Sequence, residues 1–282
     1  MKLHKGSIYY PENRNNKPVK WLCISAHQDD CEIMAIDGVL KGYYSRKYSF
    51  ALVETTDGAG SARKGPFQDF SDEQMKEIRI SEQQQASEIG KYHSVYMLNY
   101  SSQEAKDEDD HEIEEDFIAI IKALKPKVVY THSLLDKHPT HLAVAIKAIS
   151  ALRKLPKEER PEKVYGCEVW RGLDWVDDER KIGFDVSRNP RLQKALIDVF
   201  ASQVAGGKDY TKASICRRYQ NATYYQSHSV DRHKMVAYAI DLTPLIKDPG
   251  LSIKDFALSF VDDLRAEISD TYRDLGVKDS SL

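Results

Sequence analysis

Between Lys20 and Leu152 the chain switches regularly between short apolar runs and longer stretches of helical spacing, and this alternation restricts the fold more than any other feature. Lys20–Ser25, Phe50–Glu54, Ser94–Leu98 and Lys127–Thr131 read as buried strands. Cys31–Tyr44, Glu112–Leu124 and Pro139–Leu152 read as helices, as does a stretch from about Glu73 to Ile89 capped by Ser71 and closed by Gly90. Asp30 is placed to cap the first helix, with Ile33, Ile36, Val39 and Leu40 on its inner face. Strands that alternate with helices pair in parallel through right-handed crossovers. The expected fold is α/β, a Rossmann-like, mostly parallel sheet flanked by helices.

Beyond Leu152 the signals thin out. Lys154–Pro161 is a polar connector rather than a domain boundary. Val164–Glu168 and Met235–Leu242 read as strands, and Pro190–Ser202 as a helix. A final amphipathic helix runs from about Ile253 to Tyr272, with Phe256, Phe260, Leu264 and Ile268 four apart. A length of 282 residues suits one large α/β domain or two small ones, and the expectation is a single domain over residues 1–282.

Composition removes several classes of function. With 16 Tyr, 8 Phe and 3 Trp the chain has ample material for a core and does not read as disordered. A formal net charge of −3 gives no basic footprint for nucleic acid. The four cysteines are scattered without a CxxC, and Cys23 reads as a small buried hydrophobe, which fits a reducing cytoplasm. The N-terminus has no apolar h-region, so no signal peptide is read. No run approaches the roughly 18 apolar residues of a membrane span. The acidic stretch Glu104–Glu115 reads as a solvated loop and helix start.

The chemistry collects at strand ends. The first strand runs into His27-Gln28-Asp29-Asp30, and another leads to His132 and then to His138-Pro139-Thr140-His141. His27, Asp29, Asp30, Asp57, His132, His138 and His141 all follow expected strands. That is the edge at which open α/β sheets bind ligands. Two imidazoles, a carboxylate, and a spare Asp and His are what a hydrolytic zinc site needs. Zinc fits better than magnesium, because imidazole nitrogens are borderline-soft and magnesium prefers oxygen. Asp29 cannot readily face the same ion as its neighbour Asp30, and is left free as a base. No GxGxxG follows the first strand, so a nucleotide-binding reading is weak.

These motifs resemble, in order, those of the PIG-L/LmbE-like family of zinc-dependent N-deacetylases. A His-Pro-Asp-Asp-Glu type motif appears as His27-Gln28-Asp29-Asp30-Cys31-Glu32, with Gln in place of Pro and Cys inserted. Thr56-Asp57-Gly58-Ala59-Gly60 matches a second element, and Arg79-Ile80-Ser81-Glu82, followed by Ala86 and Ile89-Gly90, a third. His138-Pro139-Thr140-His141 stands for His-Pro-Asp-His, and Ser202-Gln203 for a late Ser-Gln.

The resemblance implies an enzyme that uses zinc to remove an acetyl group from an N-acetylglucosamine-type sugar or glycoconjugate. His27, Asp30 and His141 would hold the metal. Asp29 would be the general base, and His138 would stabilise the oxyanion and protonate the leaving amine. Arg79 would hold the sugar or order the pocket. Thr140 departs from the pattern, since it cannot give His138 a carboxylate, and Asp136 is the nearest substitute. Trp170 and Arg171, in Trp170-Arg171-Gly172-Leu173-Asp174-Trp175, can stack on a sugar and bind its hydroxyls, or the tryptophans can simply cover the core. Two alternatives stay open: the same metal site acting on another N-acyl amide, and an inactive sugar- or metal-binding relative. Assembly into a homo-oligomer also stays open.

Overall fold

The computed structural model describes residues 1–226 and 228–277. One eight-stranded sheet runs through it, made of β1 (Ser7–Tyr9), β2 (Val19–Ser25), β3 (Ser49–Thr56), β4 (Val95–Tyr100), β5 (Val128–His132), β6 (Lys163–Cys167), β7 (Lys181–Asp185) and β8 (Val236–Asp241). Eleven α-helices surround it among the described residues. They are α1 (Asp30–Met34), α2 (Ile36–Tyr44), α3 (Asp72–Gly90), α4 (Ser102–Lys106), α5 (Glu112–Leu124), α6 (Pro139–Lys154), α7 (Pro190–Asp198), α8 (Ala201–Val204), α9 (Tyr210–Thr223), α10 (Thr243–Lys247) and α11 (Ile253–Asp274). None is long and apolar enough to cross a membrane.

The strand order is β1-β4-β3-β2-β5-β6-β8-β7. The five central strands are parallel, and β1, β8 and β7 add antiparallel pairs at the edges. Period-2 alternation divides the core. Leu22 and Ile24 of β2 pack on one face with Phe117 and Ile149, while Trp21 and Cys23 pack on the other with Ile36 and Leu196. Both faces of a parallel sheet are covered, which is why β3 is buried along its whole length.

The expected alternation holds from β2 to α6, with differences at the ends of elements. The helix expected over Cys31–Tyr44 breaks at Ala35 into α1 and α2. Arg218 explains the break: its guanidinium takes the carbonyls of Glu32 (2.8 Å) and Ile33 (3.0 Å), which a continuous helix would use itself. Asp29, not Asp30, occupies the cap position of α1, and it makes no side-chain cap bond. Ser71 does cap α3, with a reciprocal bond to Gln74. The left-handed residue closing α3 is Lys91, φ 53°, rather than Gly90. Gly90 is needed for packing instead, because a Cβ there would lie 2.3 Å from the Tyr92 ring.

Differences are larger after α6. The helix expected over Pro190–Ser202 ends at Asp198 and resumes as α8. In α11 only Phe260 of the four-apart stripe is buried, and Ile268 is 49% exposed. A helix of 22 residues is about 33 Å long, and its second half extends past the surface that Phe256 and Phe260 cover.

Candidate metal centre and active site

Two adjacent strand ends build the floor of the site. β2 and β5 pair at the centre of the sheet, with Cys23 opposite Tyr130. The order reverses there, β3 and β4 lying on one side of β2 and β5 and β6 on the other. A crevice opens beyond the carboxyl ends of strands at such a point.

His27, Asp30 and His141 converge in it. Nδ1 of His27 lies 3.2 Å from Oδ2 of Asp30 and 3.2 Å from Nε2 of His141, and these last two are 3.3 Å apart. A nearly equilateral triangle of that edge is one face of a tetrahedron whose centre lies about 2.0 Å from each corner, the distance at which zinc binds nitrogen and oxygen. The three side chains do not satisfy one another. His141 turns Nδ1 to Oδ2 of Asp136 at 3.2 Å, so a neutral ring carries its proton on Nδ1 and turns the lone pair of Nε2 toward Asp30 and His27. Such a convergence of lone pairs calls for a cation, a proton or a metal. The electrostatics agree: burial pushes the His141 ring down, but Asp30 and Asp136 outweigh it and lift it to about 9. Burial likewise pushes Asp30 up, and the charges of His141 and His132 overcome this, holding it well below the carboxylate range.

Two overlapping trios, His27 with His138 and His141, and Asp30 with His132 and His141, also bring their ligand atoms within 4.8 Å of one another. His132 is set apart by its bonding. Its Nε2 accepts the Ala26 amide at 2.8 Å, so that lone pair is occupied. The ring stacks on His141 with centroids 3.9 Å apart. His132 therefore braces the end of β2 and one face of His141.

Asp29 is held differently. Its φ of 84° is one that few residues other than glycine adopt, and such strain persists only where surrounding bonds fix it. Arg79 supplies them. One guanidinium nitrogen lies 3.0 Å from the Asp29 carboxylate and also donates to the Gln28 carbonyl. Arg79 is only 1% exposed, and Glu82 lies on its far side at 3.4 Å. Glu82 in turn accepts both the amide and the hydroxyl of Ser202 at 2.7 Å, so two motif fragments 120 residues apart interlock. Burial pushes Asp29 up to about 7, against the pull of Arg79. Gln28, which replaces the motif proline, donates to Glu54 and to the Thr56 carbonyl. Gly58 makes room for it. With φ 72°, and a Cβ that would lie 2.4 Å from the Gln28 side-chain oxygen, this position requires glycine.

His138 caps α6 and is half-buried. Its ring is 5.0 Å from that of His27 and lies parallel to Trp170, with centroids 6.2 Å apart. Burial and the charges of His141 and His27 push it down to about 4. The expectation that Asp136 backs His138 is corrected here. Asp136 lies in the turn before α6, where its Oδ1 accepts the amides of Lys137 (2.6 Å) and His138 (3.2 Å). Its Oδ2 faces the His141 ring and the Trp170 amide. The carboxylate supports His141, and the buried Nδ1 of His138 has no partner among the described residues.

Above the floor lies a cavity of about 390 Å³. His27, Asp29, Asp30, Arg79 and His138 line its base, and Trp170, Gln203 and Tyr210 its far wall. The two tryptophans have separate roles. Trp170 faces the cavity, while Trp175 donates to the Gly172 carbonyl and packs on the core. Arg171 is exposed and outside the lining.

The family model described as GlcNAc-PI de-N-acetylase, PIG-L, matches residues 22–152, the stretch that contains every residue of the floor. That match covers just under half of the chain. The chain's fold is that of several solved structures. An N,N'-diacetylchitobiose deacetylase from Pyrococcus horikoshii superposes with a TM-score of 0.63 at 18% identity, over 87% of this chain and 91% of that one. The A40926 pseudoaglycone deacetylase superposes at 0.59 with 13% identity, over 80% and 97%. GalB, a 4-carboxy-2-hydroxymuconate hydratase from Pseudomonas putida KT2440, superposes at 0.56 with 18% identity, over 79% and 96%. Comparison with curated proteins gives no match. Because this fold carries both deacetylases and a hydratase, the fold alone does not fix the reaction.

Tyr210, Lys106, Lys208 and the bonding of Asp136 escape a reading of the sequence. Tyr210 opens α9, whose sequence Tyr210–Thr223 carries too weak an apolar period to announce a helix. The two lysines lie outside the PIG-L motifs, and only folding brings them to the cavity.

Proposed function

We propose that this chain is a metal-dependent N-deacetylase that hydrolyses the acetamide of an N-acetylglucosamine-type sugar or glycoconjugate, working as one domain over residues 1–282. The observation that carries the reading is the 3.2–3.3 Å triangle of His27, Asp30 and His141, with Asp29 and His138 on the same cavity. His27, Asp30 and His141 hold the metal, and zinc suits two imidazoles and one carboxylate. When bound, the ion supplies Lewis acidity toward the acyl oxygen and the attacking water.

The residues of the chain do the rest. Asp29 takes a proton from the attacking water, and its elevation to about 7 suits a base working near neutrality. His138, pushed down to about 4 and so neutral at rest, donates an N–H to the developing oxyanion and relays to the departing amine the proton that Asp29 takes from the water. Arg79 fixes the strained turn that keeps the Asp29 carboxylate apart from that of Asp30. Trp170 offers a flat apolar face to the sugar ring beside His138. No disulfide links the four cysteines, which is compatible with a reducing cytoplasm.

The test is acetate release from a panel of N-acetyl sugars and other N-acyl amines, before and after chelation and after zinc is restored. Chelation should abolish turnover and zinc should recover it. Turnover confined to non-sugar amides would replace the sugar reading. Zinc binding without release of any acyl group would leave a binding protein.

A further inference from the structure

The mouth of the cavity differs in charge from its floor. Lys106 ends α4, and Lys208 lies between α8 and α9; both line the cavity. Lys137 precedes His138, and the ammonium groups of Lys208 and Lys137 sit 5.1 and 5.9 Å from the centre of the Trp170 ring. Neither Lys106, Lys137 nor Lys208 has a carboxylate within ion-pair distance among the described residues, whereas Lys5, Lys41, Lys154 and Lys163 do. A single unpaired surface lysine means little. Two that line one opening, from α4 and from the loop before α9, with a third beside the Trp170 ring, set up a local positive field.

The acids nearby do not cancel it. Asp29 is paired with Arg79, and Asp30 is surrounded by imidazoles. No acid of the stretch 107–115 lines the cavity. An adjoining pocket of about 300 Å³ shares Asp29, Asp30, Trp170, Lys208 and Tyr210 and adds Arg217. Its one further acid, Asp209, is engaged by the Lys212 amide at the start of α9. The volumes are those of a small-molecule site.

We infer that this rim is a subsite for an anionic group, a phosphate or carboxylate carried by the amine-bearing part of the substrate. This rests on the deacetylase reading and narrows it: the preferred substrate is an N-acetylated amino sugar with one negative substituent, its ring on Trp170 and its anion between Lys106 and Lys208.

Two measurements test this separately from the reaction. Calorimetry at low salt compares glucosamine with glucosamine 6-phosphate and with the 6-carboxylate, for the zinc-loaded wild type and for Lys106→Met/Lys208→Met. Acetate release is followed for the corresponding N-acetyl compounds. The wild type should prefer an anionic form about tenfold or more, the scale of one charge-assisted hydrogen bond. The preference should shrink in high salt and fall to within about threefold in the double variant. Whichever anion is preferred identifies the group. Equal affinity for neutral and anionic forms overturns the subsite, and so does a preference that survives the double substitution. Acetate release without any preference for an anion sinks this inference and leaves the deacetylase intact. An anion preference that depends on the lysines, without acetate release, does the reverse.

Discussion

The floor of the cavity and its rim follow opposite building rules. The floor comes from the ends of β2 and β5, the helices that follow them and Arg79 of α3, all inside residues 22–152 that match the family model. Its side chains are held on several sides: His141 by Asp136 and stacked His132, Asp29 by Arg79, Arg79 by Gln28 and Glu82. Much of the rim comes from residues 153–282, as single residues on short helices and loops: Trp170, Gln203, Lys208 and Tyr210. Apart from Gln203, these are half or fully exposed. The difference separates what the site does from what it accepts. A reaction needs groups fixed to a fraction of an ångström, and a buried, bonded floor provides that. Choice of substrate needs only a suitable surface, which loops can change without disturbing the sheet.

Substitutions sharpen this contrast, and the largest effects belong to the floor. His141→Ala should lose most of its metal, falling from about one zinc per chain, because a three-ligand site cannot spare an imidazole. Turnover should fall with it and should not return when zinc is added. Metal analysis after a chelator challenge checks this, and full occupancy in the variant would show that the ligand set is wrong.

Next in size is Asp29→Asn. Asparagine tolerates positive φ, so the turn survives while the base is lost. Turnover should drop roughly 10²–10⁴-fold with metal content unchanged. Near-normal turnover at full zinc occupancy would remove Asp29 from the chemistry.

Asp136→Asn tests a link visible only in three dimensions. The carboxylate orients His141 from behind, so its loss should weaken metal affinity about 10–100-fold, while Thr140→Val should leave affinity close to normal. Competition with a chelator of known affinity measures both. If Asp136→Asn lowers turnover but not metal affinity, the carboxylate acts through another group than His141.

Reading the sequence reached the floor much further than the rim, for a physical reason. A strand end and the helix after it fix neighbouring residues in space, so His27-Gln28-Asp29-Asp30 was readable as one cluster and His138–His141 as another. Parallel pairing of β2 and β5 then brought the clusters together. Local spacing does not say which carboxylate faces which ring. Asp136 lies two residues from His138 and five from His141, yet it bonds the more distant ring, because one turn of helix folds His141 back over it. The rim carries still less local signal. Tyr210 meets Trp170 edge to face at 6.1 Å across 40 residues of chain, and no period in either segment encodes that. The same holds for α11, whose apolar stripe predicted burial that its length prevents.

The smallest effects should come from the rim, and a neighbouring pair gives the finest test. Trp170 and Arg171 are adjacent and looked alike as sugar-binding candidates, but they face different ways. Trp170 lies over His138 and lines the cavity, while Arg171 is exposed beyond it. Trp170→Ala should raise KM several-fold with little change in kcat, since aromatic stacking contributes about 0.5–1.5 kcal/mol and a ring that only holds the ground state alters KM first. Arg171→Ala should stay within about twofold on both constants, as an exposed substitution away from the site does. A larger loss from Arg171→Ala than from Trp170→Ala would mean that substrate reaches past the cavity onto the outer surface. The rim would then be wider than its lining, and the boundary between fixed chemistry and adaptable surface would have to be redrawn at the guanidinium.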